Sequence, residues 1–300
     1  MRWRVDKGII GAALSVREHE ALYAELKRSG GAYSMVNSRV LPLPPGLVSG
    51  DHIVDGGGLG RYLRRELGFC WGKLPLALGV PSSDFVFRTF RLATDDIQEA
   101  REALRWCFAD FFPFQYESAL FDIMEMPVKL KGRQTLFAGA ACAKAPLMQV
   151  LLSLKSLRCR VAAAEPQITA CIRAVTGEYE EDPFLLLIGI GGLVHLAFIQ
   201  QSALWMFRTV SLELSRKETV CGLLNAEISK TLIYLEEHFK MSSPAVCFAG
   251  NLAPEMAQLP ACTGLARKEI CSSRQINCVP PGQPDWYDVA GLLMRHIHEN

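Results

Sequence analysis

The chain has 300 residues, more than one ordinary hydrophobic core needs, so two lobes or one unusually large domain is the first expectation. Half of its residues are apolar and 21% are charged, which excludes a disordered chain. The formal charge of +1 excludes the global basic field of a nucleic-acid binder.

Residues 8–16 read as a strand and Ala21 to Lys27 as a second, with Arg17-Glu18-His19-Glu20 as the turn and Gly30-Gly31 turning the chain again. Tyr33 to Leu41 reads as a third strand, stopped by Pro42, Pro44 and Pro45. Gly57 to Leu67 has apolar helical spacing, and its basic cluster Arg61, Arg64 and Arg65, followed by Glu66, reads as a solvated helix face. Leu76 to Leu78 and Phe85 to Leu92 are strand candidates. Asp95 to Phe111 is a helix, with Asp95 or Asp96 as cap, an apolar stripe of Ile97, Ala100, Ala103, Leu104 and Cys107, and Pro113 as its stop. Leu120 to Met124 and Thr135 to Ala141 follow as strands, Pro146 to Leu157 as helix, Arg158 to Ala164 as strand and Pro166 to Val175 as helix.

The acidic connector Glu178 to Asp182 marks a boundary between lobes. After it the pattern restarts with an apolar run over 184–199. The run is shorter than a spanning helix needs and holds three glycines and His195, so it reads as two buried strands around a glycine turn. Leu204 to Leu212 is a further strand, Lys217 to His238 the longest helix, Ala245 to Phe248 a short buried strand, and Tyr287 to Ile297 a terminal helix. Strand meanders alternating with helices, repeated after an acidic joint, predict a two-lobed α/β protein with mixed sheets.

Ten cysteines form no Cys-x-x-Cys pair, and with no secretory signal at the N-terminus the expectation is a reduced cytosolic chain without a metal site. His195, between Val194 and Leu196, reads as a core histidine, and the remaining histidines show no zinc or triad spacing.

Several blocks resemble the type IV pilus assembly PilM family of the actin-like superfamily, which also holds FtsA. They are Ala21-Leu-Tyr-Ala-Glu-Leu-Lys-Arg-Ser-Gly-Gly31, Leu41-Pro-Leu-Pro-Pro-Gly46 with Gly50 to Asp55, Arg88-Thr-Phe-Arg-Leu92, Phe112-Pro-Phe114, Leu120-Phe-Asp122 and Asp288-Val-Ala-Gly-Leu-Leu-Met-Arg295. The resemblance implies two RNase-H-like lobes around a cleft, lobe I over 1–181 and lobe II over 182–300, with an inserted subdomain at about 89–161. It implies a place under the inner membrane, binding the short cytoplasmic N-terminal tail of a PilN-like membrane protein in a groove on the insertion. The candidate partner surface runs over Tyr116 to Met126 and the 146–158 helix, with Arg88, Phe114, Tyr116, Phe121 and Asp122 as candidate contacts; Phe112, Phe114 and Phe121 also read as plain core residues.

Family members hold ATP in the cleft, with two strand-end carboxylates organising the ion and glycine hairpins cradling the phosphates. Registered on the family's first hairpin, Asp-x-Gly-Ser-Ser-Ser-x-Lys, this chain has Ser15 at the Asp, Arg17 at the Gly and Leu22 at the Lys. Asp6-Lys7-Gly8 is a substitute nine residues upstream. At the second hairpin, Asp-x-Gly-x-x-Thr, Gly189 stands at the carboxylate and Val194 at the hydroxyl, while Gly191 and Gly192 keep the turn. Gly250-Asn251 takes the place of the adenosine-side loop. Gly191, Gly192, Gly250 and Asn251 are thus the candidate ATP contacts of a degenerate cleft, with no cofactor and no hydrolysis as the expectation. The leading function is a pilus or secretion scaffold; the alternatives are an ATP-switched actin-like assembly protein and a GspL-like secretion component.

Overall fold

The computed structural model describes residues 8–67, 74–129, 134–155, 160–176, 182–190, 193–201, 203–211, 217–250, 252–268, 276–277 and 286–298. The chain divides into two compact units, one of residues 1–173, 274–279 and 288–300 and the other of 174–273 and 280–287.

The first unit opens with an antiparallel meander of β1 (Ile9–Val16), β2 (Glu20–Ser29) and β3 (Ala32–Pro42). β1 and β2 are buried along most of their length, as their nearly unbroken apolar runs require of inner strands. Gly30 and Gly31, at φ 56° and 86°, form the two-residue turn between β2 and β3. A small hairpin, β4 (Val48–Ser49) and β5 (His52–Ile53), leads to α1 (Gly56–Leu67), where Asp55 Oδ1 accepts from the Gly58 N–H at 2.7 Å. β6 (Pro75–Val80) pairs parallel with β1.

A three-stranded antiparallel sheet is then inserted, from β7 (Phe85–Leu92), β8 (Ala119–Lys129) and β9 (Thr135–Ala143), with β9 in the middle. The helix α2 (Ile97–Phe111) precedes β8, and Asp96 caps it by accepting from the N–H groups of Gln98 and Glu99. Its Ala100, Leu104 and Phe108 close over Phe90, Phe112, Ile123 and Phe137 to make the insertion's own core.

The chain returns through α3 (Lys144–Lys155), β10 (Arg160–Pro166) and α4 (Gln167–Thr176). The main sheet has the order β10-β6-β1-β2-β3-β15. Leu147, Val150 and Leu154 of α3 pack with Leu59 and Leu63 of α1 in this unit's main core. The two helices touch closely because Gly60 has no side chain: a Cβ there would stand 2.2 Å from that of Ser153. The described part of the expected 146–158 helix therefore packs in the main core and not on the insertion, whose sheet spans 85–143, while 156–158 lie outside the described residues.

The second unit holds β11 (Phe184–Ile190), β12 (Leu193–Gln200), β13 (Ala203–Ser211), α5 (Lys217–Phe239), β14 (Ala245–Gly250) and the short α6 (Ala253–Met256). Its sheet runs β13-β12-β11-β14, with β14 parallel to β11. The apolar run over 184–199 is thus two paired strands, and among the described residues no helix is long and apolar enough to cross a membrane.

The chain then re-enters the first unit. A short β15 (Ile276–Asn277), absent from the sequence reading, pairs parallel with β3, and α7 (Tyr287–His298) packs against α4. This corrects the division that gave all of 182–300 to one lobe. Gly291 lies so close to Ala170 that a Cβ would stand 1.8 Å from its carbonyl oxygen, and the His296 ring nitrogen Nε2 is 2.9 Å from the Ala12 carbonyl oxygen. Both contacts fix α7 to the first unit.

Candidate functional site

At the end of β1, where the first glycine hairpin was expected, the side chains form a closed polar network. Ser15 is fully buried, and its hydroxyl donates to Asp288 Oδ2 at 2.5 Å while accepting from Gln167 Nε2 at 2.9 Å. Gln167 Nε2 also donates to the Val16 carbonyl at 2.6 Å. Arg17 grips the same carboxylate with two bonds, Nη2 to Oδ1 at 2.9 Å and Nε to Oδ2 at 3.1 Å, and reaches Glu20 at 3.3 Å. Burial opposes the charge on Arg17, but the attraction of Asp288 outweighs it and holds the guanidinium above its ordinary pKa.

The sequence reading assigned this hairpin no carboxylate. The fold supplies one from the first turn of α7, a position 273 residues from Ser15 that no hairpin motif contains. That carboxylate is itself fully buried and already paired with a cation. Neither Ser15 nor Leu22 carries a charge toward a ligand, and Arg17 occupies the turn that a glycine would leave open.

A second, partly buried cluster joins the end of β10 to α4 and α7. Glu165 accepts from Arg173 at 2.9 and 2.8 Å and from Arg295 at 2.9 Å, and Arg173 also donates to the Gly291 carbonyl at 2.8 Å. Burial would raise the Glu165 pKa, yet the two guanidinium groups hold it below the usual carboxylate range.

In the second unit, Gly189 of β11 pairs with Val194 of β12 and with Gly250 of β14. Gly250 has φ 81°, and a Cβ there would lie 2.0 Å from the Gly189 carbonyl oxygen. The close approach of the two backbones requires glycine at position 250. Gly191, Gly192 and Asn251 lie outside the described residues, as do Asp6 and Lys7. His195 is buried, its Nδ1 3.0 Å from Thr209 Oγ1 and its ring stacked 5.6 Å from that of Phe207.

The candidate partner residues divide into two groups. Phe114, Tyr116 and Phe121 are half-buried against the insertion's core, with the Tyr116 ring 5.3 Å from Phe121 and 5.6 Å from Phe108. Asp122 is exposed and paired with Arg101 of α2. Arg88 stands on the opposite edge strand, exposed, and donates to the Phe87 carbonyl. Across the sheet Arg88 registers with Gly139 and Gly139 with Ile123, so the structure does not bring Arg88 and Asp122 into one pocket. Where the insertion meets the main sheet there is a small recess of about 20 Å³ lined by Val80, Asp84, Phe85, Cys142, Ala143, Pro146 and Leu147, which the sequence reading did not single out. Asp84 there accepts from the Ile53 N–H at 3.1 Å and meets His52 Nδ1 at 3.0 Å. Burial raises its pKa.

No protein-family model matches the sequence, and no curated protein matches it. Solved structures do. The chain aligns with a structure described as the PilM-PilN type IV pilus biogenesis complex with a TM-score of 0.77 at 16% identity, covering 96% of this chain and 99% of that one. It aligns with the cytoplasmic domain of EpsL, an inner-membrane component of the type II secretion system of Vibrio cholerae, with a TM-score of 0.55 at 11% identity, covering 96% and 94%. A Bacteroides thetaiotaomicron protein with an actin-like ATPase fold and unknown function aligns with a TM-score of 0.54 at 9% identity, covering 97% and 99%. The fold of this chain is the α/β actin-like ATPase fold of these structures.

Proposed function

We propose that this chain is an actin-fold scaffold of a type IV pilus or related secretion machine, one that binds the cytoplasmic tail of a PilN-like inner-membrane partner without a nucleotide switch. The observation that carries this reading is the 85–143 insertion. Among the described residues its strands β7 and β8 each pair only with β9, so each leaves one edge without a strand partner, and a small recess lies at the start of β7. An extended peptide adds to such an edge through its backbone and places alternate side chains in adjoining pockets. The whole-chain likeness to the PilM-PilN complex structure supports the choice of partner.

Magnesium–ATP does not fit the donor set at the first hairpin. An ion needs a carboxylate that faces it, whereas Asp288 is buried under Arg17 and Ser15 is neutral. At Gly189 there is no side chain to organise water. The scaffold reading therefore needs neither nucleotide nor turnover at these positions. The likeness to the EpsL cytoplasmic domain supports a second placement of the same scaffold, in a type II secretion machine.

Calorimetry tests the reading directly. Purified protein is titrated with ATP–magnesium in one run and with a PilN-like N-terminal tail peptide in another. Saturable peptide binding without nucleotide binding is the expected result. Saturable ATP binding with no peptide binding would return the chain to the nucleotide-switched class.

A further inference from the structure

Trp106 is 89% exposed, the most exposed of the large apolar side chains among the described residues. It lies on α2, on the side opposite the Ala100, Leu104 and Phe108 stripe that seals the insertion's core. Helical spacing puts Glu99 and Glu102 on the same outward side in the turns before it, and Asp110 follows beyond a break in the helical backbone at Cys107; all three are exposed. The helix's two cations are turned elsewhere. Arg101 pairs with Asp122 on β8, and the Arg105 guanidinium lies 5.8 Å from the Tyr116 ring centroid. An exposed indole with two carboxylates on its own side of the helix therefore stands on the solvent face of α2.

Indole is the side chain that attracts cations most strongly through its ring face, and tryptophan is enriched among the residues that dominate interfaces. A lysine or arginine laid across Trp106 would pack its stem on the ring and bring its head group to Glu99, Glu102 or Asp110. We propose that this face of α2 docks a Lys- and Arg-rich protein segment, the stretch of the partner's cytoplasmic tail that adjoins its membrane span. The proposal rests on the tail-binding reading above. Its charge argument is general: cytoplasmic segments next to a membrane span carry an excess of Lys and Arg. The apolar part of the tail takes the strand edge, and the basic part continues onto α2 of the same insertion.

The test is fluorescence anisotropy on the full chain with two labelled probes, a peptide of alternating Arg and Ser and its counterpart with Glu for Arg. Variants are Trp106→Ala and the triple Glu99→Gln, Glu102→Gln, Asp110→Asn, all at exposed positions. The expected result is saturable binding of the arginine probe, weakened about tenfold by either variant and by added salt, with no binding of the glutamate probe. Equal affinity of the arginine probe for wild type and both variants would overturn the proposal, as would Trp106-dependent binding to phosphatidylserine vesicles, which would make the face a lipid surface. A tail peptide stripped of its basic residues, titrated alongside, keeps the two readings apart. If it fails to bind while the arginine probe remains Trp106-dependent, the tail reading falls and the basic-segment surface stands. If it binds and the arginine probe ignores Trp106, the surface alone is overturned.

Discussion

The guanidinium of Arg17 and the carboxylate of Asp288 form a buried two-pronged ion pair, at 2.9 and 3.1 Å, that ties the first hairpin of the chain to its last helix. Removing one member leaves the other charged and desolvated. Arg17→Ala is expected to cost about 3–5 kcal/mol of unfolding free energy by denaturant titration. Pairing Arg17→Met with Asp288→Asn removes both charges and is expected to recover at least roughly half of that loss, because the Ser15 and Gln167 bonds keep an acceptor.

Glu165 gives a second, pH-dependent expectation. Its pKa is lower in the folded protein than in the unfolded chain, so the unfolded state binds more protons as pH falls, and stability rises with pH through that range. The contribution is fully present above the ordinary carboxylate pKa of about 4.3 and is lost below it. Glu165→Gln should therefore be less stable than wild type at pH 7 by about 2–4 kcal/mol, with the gap closing below about pH 4.

Asp51 behaves in the opposite sense. Burial, the largest cause, together with the neighbouring Asp84, pushes its carboxyl up to about 6 despite a 3.1 Å bond from the Ser83 N–H. A folded pKa above the unfolded one means that stability declines as pH rises from about 4 to about 6 and stays lower above that. Asn keeps the acceptor and tolerates the φ of 61° at this position. Asp51→Asn is expected to stabilise the protein by about 1–2 kcal/mol at pH 7 and by little at pH 4, read from unfolding titrations at the two pH values.

Two left-handed glycines separate backbone strain from close contact. Gly250 and Gly264 have φ of 81° and 87°, but only at Gly250 would a methyl group strike backbone, 2.0 Å from the Gly189 oxygen. Gly264→Ala should cost only the conformational strain, about 1 kcal/mol. Gly250→Ala should cost more than about 4 kcal/mol, or prevent accumulation of soluble protein, because β11 and β14 must move apart. Thermal unfolding of both variants makes the comparison.

Thiol chemistry reports on the packing of each unit. Burial pushes the Cys142 thiol up to about 12 and the Cys262 thiol up to about 11, whereas Cys221 is exposed on α5. Peptide-resolved alkylation of native protein at pH 8 should label Cys221 well before Cys142 and Cys262, which stay protected until unfolding. Early labelling of Cys142 would mean that the junction between the insertion and the main sheet opens readily.

Periodicity located most of the elements. The unbroken apolar runs of β1, β11 and β12, the three-to-four spacing of α1, α2 and α7, and the Asp96 cap are all local signals, and the structure places the elements within a few residues of them. The two-residue β15 has no such signal, since it exists only because β3 offers it an edge. The small β4–β5 hairpin escaped for a related reason: its turn, Gly50-Asp51, needs left-handed φ at both positions, and Asp there is not a strong signal.

The candidate site divides in the same way. The absence of an acid at Ser15 and at Gly189 is a fact about residue identity, so the sequence alone determined it. That Arg17 does more than obstruct a turn, and closes onto Asp288, depends on a contact across 271 residues that no local pattern encodes. Likewise Trp106 reads in sequence as one apolar residue of a helix, and only the packing of Ala100, Leu104 and Phe108 inward decides that it faces solvent among carboxylates. Sequence fixes which side chains are available and the period at which they recur. Which charges meet, and which ring is left uncovered, follows from how helices and sheets stack, because burial and pairing are properties of neighbours in space.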